Sequence, residues 1–358
     1  MKTFNYNQIL LSMKKFYTIT MCALAAFMFI SVTVGAQSTW NGPAGGNWST
    51  PGNWTPVGVP AAGSTVTIPN SNTRTSLNVD LPFTCASIQI QGGINNFTLN
   101  VANGQTLTVT GNLNIQAPSA NNISKVVTLG NASSVLNAGS ITLDDITAGV
   151  NDFSAINVNG GTANVTGNFT MNGNVAAENR INVTSGGKLA IAGNLAPTNG
   201  QVNLSTGSYV EYNAAGAQTM RAMTYSNLIV SGSGSKSAAV TVNDSLLVNG
   251  TATLGTAVTY SSAVLAYKGT SAQTVGANEF PTPMNTPVVI DNTGGVTIGA
   301  AKTMNVDLTI LSGTLAAGTN LTMATNTAIN MSGGSITGTL QSNNAYDVFY
   351  TGGSFSTS

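Results

Sequence analysis

The chain has 358 residues, with 11 Lys+Arg, 11 Asp+Glu, no His and two Cys, so charge is several-fold sparser than the roughly one residue in four of an average soluble domain. Asn (43), Thr (49) and Gly (40) supply the polarity instead. This argues against helices with charged solvent faces, removes the cationic footprint of a nucleic-acid binder, and leaves no imidazole for general-base or metal chemistry.

At the N-terminus, Lys14-Lys15 precede an uncharged apolar run from Phe16 to Val34 that ends in Val34-Gly35-Ala36. This pattern predicts a secretory signal over residues 1–36, cleaved after Ala36, with Met13 as an alternative start. An uncleaved membrane anchor is the competing reading, because the run could just span a bilayer. The small-residue end and the abrupt change to polar sequence favour cleavage, and no membrane span is expected afterwards. The remaining chain would carry 8 basic and 11 acidic groups and one cysteine, Cys85. A single thiol permits no intramolecular disulfide.

From Thr84 onward apolar residues alternate in short pairs, including Ile88/Ile90, Leu99/Val101, Leu107/Val109, Leu113/Ile115, Ile156/Val158, Ile181/Val183 and Val202/Leu204. Each pair predicts a three-to-five-residue strand with one buried face, and Gly-Asn, Asn-Gly and Ser-Gly steps between them predict frequent turns. The motif apolar-x-x-x-[Leu/Phe]-x-apolar begins at Val109, Val165, Val242 and Met304, with a shortened form at Ile191. Its intervals suggest three short strands per coil of about 26–28 residues, repeated along the chain as in a solenoid. The expected fold is therefore all-β, a right-handed parallel β-helix with Gly and Asn stacked at its corners. About 11 rungs at a 4.8 Å spacing would make a rod of roughly 50 Å.

A longer repeat overlies the short one. Val210-Glu-Tyr212 through Gln218-Thr219 matches Leu265-Ala-Tyr267 through Gln273-Thr274, and Val348-Phe-Tyr350 begins the pattern again. The predicted organisation is a signal over 1–36, a Trp-rich cap over 37–75, β-helix rungs over 76–204, long repeats over 205–264 and 265–345, and a third repeat opening at 346–358. A third copy only begun, with no polar cap, predicts the N-terminal part of a longer protein.

The stretch Trp40-Asn-Gly-Pro-Ala-Gly-Gly-Asn-Trp48-Ser-Thr-Pro-Gly-Asn-Trp54, with Gly58-Val-Pro60 and Val66-Thr-Ile68 after it, resembles the opening of large secreted β-helix proteins of bacterial surfaces. These include autotransporter-like passengers and repetitive exported proteins of Bacteroidetes. The signal ending at Ala36-Gln37 and the Tyr212 to Thr219 repeat look like the Bacteroidetes group in particular. The resemblance implies a Trp-rich start paired with the first rung, and type IX secretion directed by a C-terminal sorting domain that this sequence lacks.

Chemistry is harder to find. Trp40, Trp48 and Trp54 read either as a cap over the first rung or as a glycan-stacking platform. Asp144-Asp145 is the only adjacent acid pair; it reads as a solvated turn, with a Ca²⁺ site shared with Asn151 or Asp152 as the alternative. Glu178 and Arg180 should share a strand face as a surface ion pair. Cys85, alternating with Phe83, reads as a small buried apolar residue. Asp244-Ser245-Leu246 resembles the O-glycosylation acceptor of Bacteroidetes, making Ser245 a candidate.

No catalytic residue, metal or cofactor is expected. The sequence points to a non-enzymatic exported stalk or adhesin-like protein, secreted or held at the cell surface through a missing C-terminal region. Expected partners are a surface glycan or a host or extracellular-matrix component, with edge-to-edge self-association. The alternatives are a carbohydrate-binding or carbohydrate-active β-helix, and an ice- or crystal-binding solenoid suggested by Thr65-Val-Thr67 and Thr106-Leu-Thr108-Val-Thr110.

Overall fold

The computed structural model describes residues 36–144, 151–173, 178–342, 345–352 and 354–355. The chain is a parallel β-solenoid of about twelve turns. Alternating apolar residues point inward and form one continuous core from Trp40 to Ile336. The apolar pairs of the sequence stack in register: Leu107, Leu136, Ala163 and Leu189 form one column, and Leu113, Ile141, Phe169 and Leu195 another.

Several strands are longer than their apolar pairs suggested. Thr106–Ile115 and Val135–Leu143 each run round a corner and serve two faces of the coil. The corner is built by a glycine step, Thr-Gly-Asn at Gly111 and Gly167, Ala-Gly-Ser at Gly139 and Ala-Gly-Asn at Gly193. Gly111, Gly139, Gly167 and Gly193 stack there, with the Gly167 amide 2.6 Å from the Gly139 carbonyl and the Gly193 amide 3.1 Å from that of Gly167. A Cβ on Gly193 would stand 2.2 Å from the Gly167 carbonyl carbon and oxygen, both backbone atoms that cannot swing aside. Gly193→Ala is therefore expected to destabilise by about 1–3 kcal/mol, the usual cost of overpacking. Chemical denaturation measures it, and an unchanged midpoint would show that the corner can open freely.

A seven-stranded sheet forms a further wall, in chain order from Gly46–Asn47 to Gln201–Leu204. Five of its strands carry an apolar-Asn-apolar pattern, Leu77-Asn78-Val79, Leu99-Asn100-Val101, Ile156-Asn157-Val158, Ile181-Asn182-Val183 and Val202-Asn203-Leu204, with Thr128 standing in the row between Asn100 and Asn157. The apolar residues continue core columns while the Asn side chains bond along the rod. The Nδ2 of Asn100 donates to Asn78 Oδ1 at 3.2 Å, that of Asn182 to Asn157 Oδ1 at 2.7 Å, and that of Asn203 to Asn182 Oδ1 at 2.8 Å.

Turn length is not constant. Successive column partners lie 25 to 29 residues apart from Ile88 to Leu189, then 21 from Leu189 to Val210, and 18, 18 and 19 from Val210 through Leu228 and Leu246 to Leu265. Later turns take 19 to 23 residues. A coil close to 26–28 residues therefore holds only between about Leu107 and Leu195, because the turn from Val66 to Ile88 already takes 22. The long repeat is three short turns: Val210 and Leu265 share a column, and Val348 joins it four turns later. The spaced motif also divides. Val109, Val165 and Ile191 share a column through Ala138, whereas Val242 stacks on Tyr225 and Tyr260 on another face.

The two described ends differ. At the start, Gln37–Trp40 pairs parallel with Thr65–Ile68, and Trp54–Thr55 folds back antiparallel along its other side, ending the parallel ladder. At the other end, Asp347–Tyr350 stacks parallel on Ala328–Met331, with Val348, Phe349 and Tyr350 between 42% and 56% exposed.

Candidate functional site

The three indoles are fully interior, each at most 1% exposed. Trp54 meets Trp40 edge-on at 5.1 Å and Trp48 at 4.9 Å, Trp48 stacks on Phe83 at 5.5 Å, and Trp54 Nε1 donates to the Trp48 carbonyl. Asp80 ties the cap down by accepting from the backbone amide and hydroxyl of Ser49. No indole face is open to a sugar, so the stacking-platform reading is corrected: the rings fill the end of the core.

The other sequence candidates take the following places in the fold. Cys85 is buried, and desolvation pushes its thiol up to about 12, leaving no thiolate for chemistry at neutral pH. Ser245 lies in the strand Val240–Asn249, half-buried, with its hydroxyl donating to Asn227 Oδ1 at 2.6 Å. Asp145 falls outside the described residues. Asp144 accepts from Asn172 Nδ2 at 2.7 Å, and Asn151 donates to Asn122 at 3.3 Å. Among the described residues no three His, Cys, Asp or Glu gather as a metal site. Glu178 is 2% exposed, so it is not the surface partner expected, while the Arg180 guanidinium lies 4.0 Å from the centre of the Phe153 ring. The Thr-x-Thr steps do not align in rows either: Thr65 stacks beside Ser87, Thr67 beside Gln89, and Thr108 beside Asn137.

The long repeat proves to be a recipe for buried polar contacts. Gln218 Nε2 donates to the carbonyl of Ile191 in the preceding turn, and Gln273 Nε2 does the same to Val248. Tyr212 and Tyr225 are fully buried with hydroxyls 2.9 Å apart; Arg221 N–H donates to Tyr212, and Tyr225 donates to the Arg221 carbonyl. In the second repeat Tyr267 donates to buried Glu279, and Lys302 Nζ donates to the carbonyls of Gly276 and Phe280. Lys236, 0% exposed, donates to three carbonyls, those of Ala214, Gly216 and Ser233. Burial raises the pKa of each of these tyrosines and lowers that of both lysines.

One place does leave the wall open. Where the turn shortens, the seven-stranded sheet stops at Gln201–Leu204, and the next turn's Met223–Ser226 does not pair with it. Between them is a cleft of about 440 Å³, lined by residues including Val202, Asn203, Leu204, Thr224, Asn243 and Asp244. Its inner end is closed by Asn227 N–H donating to the Ser208 carbonyl and by Asp244 accepting from Gly207 N–H and the Ser226 hydroxyl. Val202 and Leu204 are only half-buried here, whereas Ile181 and Val183 beneath them are at most 1% exposed. The 21-residue step from Leu189 to Val210 accompanies the cleft but does not announce it, since a 22-residue step from Leu77 to Leu99 leaves the same sheet closed.

These features define a β-solenoid with a Trp-filled N-terminal turn and a lateral cleft at the change of turn length. Residues 39–156 match the model of a domain of unknown function (DUF8693), which covers the cap and the first turns. No curated protein and no solved structure matches the chain.

Proposed function

We propose that the chain is a non-enzymatic stalk of an exported surface protein, holding or presenting material away from the cell. The observation that carries this is the single core that runs unbroken through about twelve stacked turns, so that the chain behaves as one rod. At the 4.8 Å strand spacing twelve turns extend about 58 Å. The mostly uncharged surface supports use outside the cell, because a rod held by backbone ladders and apolar columns depends little on ionic strength. The apolar run ending at Ala36 supports export.

Protease treatment of intact source cells tests the reading, with an antibody to the folded chain as reporter. The stalk should be degraded or shed while a periplasmic marker survives. Full protection on intact cells would overturn the surface assignment. Depolymerisation of any common polysaccharide by the purified chain would overturn the non-enzymatic one.

A further inference from the structure

The cleft beside Gln201–Leu204 has the attributes of an unfinished sheet. Ser205 N–H donates to the Val183 carbonyl, so Asn203 and Ser205 direct their backbone groups toward the strand beneath. In a β-strand successive residues point their N–H and C=O to opposite sides, so Val202 and Leu204 direct theirs into the cleft. On the opposite wall the Met223 carbonyl accepts from Thr241 N–H, away from the cleft. By the same alternation Thr224 turns its backbone groups inward. The Asn row has a direction as well: each Nδ2 donates to the Oδ1 below, which leaves Asn203 Oδ1 as the acceptor at the end of the row.

We propose that this cleft is a strand-accepting site, in which an extended polypeptide segment of a partner, carrying the pattern apolar-Asn-apolar, adds in parallel to Gln201–Leu204 as an eighth strand. The occupant is specified by continuity with the existing ladder. Its Asn would extend the row Asn157, Asn182, Asn203, and its two apolar residues would cover Val202 and Leu204, continuing the columns that run up from Ile156 and Val158. Backbone pairing would supply affinity and the alternate side chains specificity. The cleft volume of about 440 Å³ lies within the range of about 300–1,000 Å³ common for binding clefts.

The probe is a fluorescent synthetic peptide with the sequence of residues 179–185, Asn-Arg-Ile-Asn-Val-Thr-Ser, titrated with the chain from Gln37 onward. Saturable binding is expected by fluorescence anisotropy. N-methylation of the peptide amides at its Asn182 and Thr184 positions, which would face Val202 and Leu204, should weaken binding at least about tenfold, as should Val202→Pro in the chain. The proline removes an N–H that points into the cleft and costs no bond to the strand beneath. Asn203→Ala, at an exposed side chain that also donates to Asn182 Oδ1, should weaken binding several-fold with a cooperative melt retained, and it decides the matter if the proline variant misfolds. Absence of saturable binding up to about 1 mM, or binding indifferent to N-methylation or to the substitutions, would overturn the proposal. Displacement of the peptide by a neutral hexasaccharide would also overturn it, by assigning the cleft to a glycan.

Discussion

Replacing Trp54 with alanine is expected to lower the stability of the first turn by about 3–5 kcal/mol, the usual cost of truncating a buried aromatic ring. The ring touches both other indoles and donates to the Trp48 carbonyl, so the substitution removes packing and leaves a buried acceptor unpaired. Solenoid turns are coupled mainly to their neighbours, so the loss should stay at one end of the rod. Because all three tryptophans of the chain lie in this cap, the emission of the remaining two reports on it alone. In a denaturant titration of Trp54→Ala, fluorescence should change well before far-ultraviolet circular dichroism. Coincident transitions at the wild-type midpoint would show that the indoles contribute little to holding the end closed.

Stability is expected to rise with pH from about 8, as the buried lysines Lys125, Lys236 and Lys302 shed protons that the unfolded chain keeps. Lys125 is 1% exposed, its Nζ donates to Asn70 Oδ1 at 3.1 Å, and desolvation lowers its pKa to about 8. Below pH 8 both folded and unfolded chains carry the proton, and the cost of burying the charge is present in full. As pH passes 8 the folded chain sheds the proton while the unfolded chain keeps it to about 10.5, so the unfolded state binds more protons and loses ground. From about pH 9 the Cys85 thiol opposes this, because it ionises in the unfolded chain while burial holds it protonated in the fold, and above about pH 10 the sign reverses. Unfolded tyrosines then ionise, whereas burial holds Tyr212, Tyr225 and Tyr267 protonated in the fold. Denaturation midpoints across this range should show a maximum, and Lys125→Met should lower its rising side, with the remainder belonging to Lys236 and Lys302. A rising limb as steep in the variant as in the wild type would show that Lys125 does not contribute to it.

The fold was legible in the sequence because a solenoid repeats the same physical problem at every turn. Alternating pairs such as Leu113/Ile115 must face the core, and a Gly-Asn step must let two backbones pass at the corner. Spacing alone assigns a residue to a column only while every turn has the same length. After Leu189 the turns shorten, and the Val242 motif, similar in letters to the Val165 motif, lands on another face. The cleft escaped the sequence for the same reason, since Val202 and Leu204 read as one more core pair and nothing in them announces that the next turn fails to cover them. The indoles show the opposite limit. Trp40, Trp48 and Trp54 suit a cap or a sugar platform equally well by type, and only their burial decides between the two.

The shortening of the turn also changes how far a given stretch of polypeptide reaches. Each turn advances the rod by one strand spacing whatever its circumference, so a turn of about 27 residues gains about 0.18 Å per residue, and one of about 20 gains about 0.24 Å. Residues beyond Val210 therefore carry the tip about a third farther than the same number before it. The narrower section encloses fewer side chains per turn, and the large rings of Tyr212, Tyr225 and Tyr267 supply interior bulk there. Girth is exchanged for reach part-way along the molecule, with the thicker section on the side of the tryptophan end.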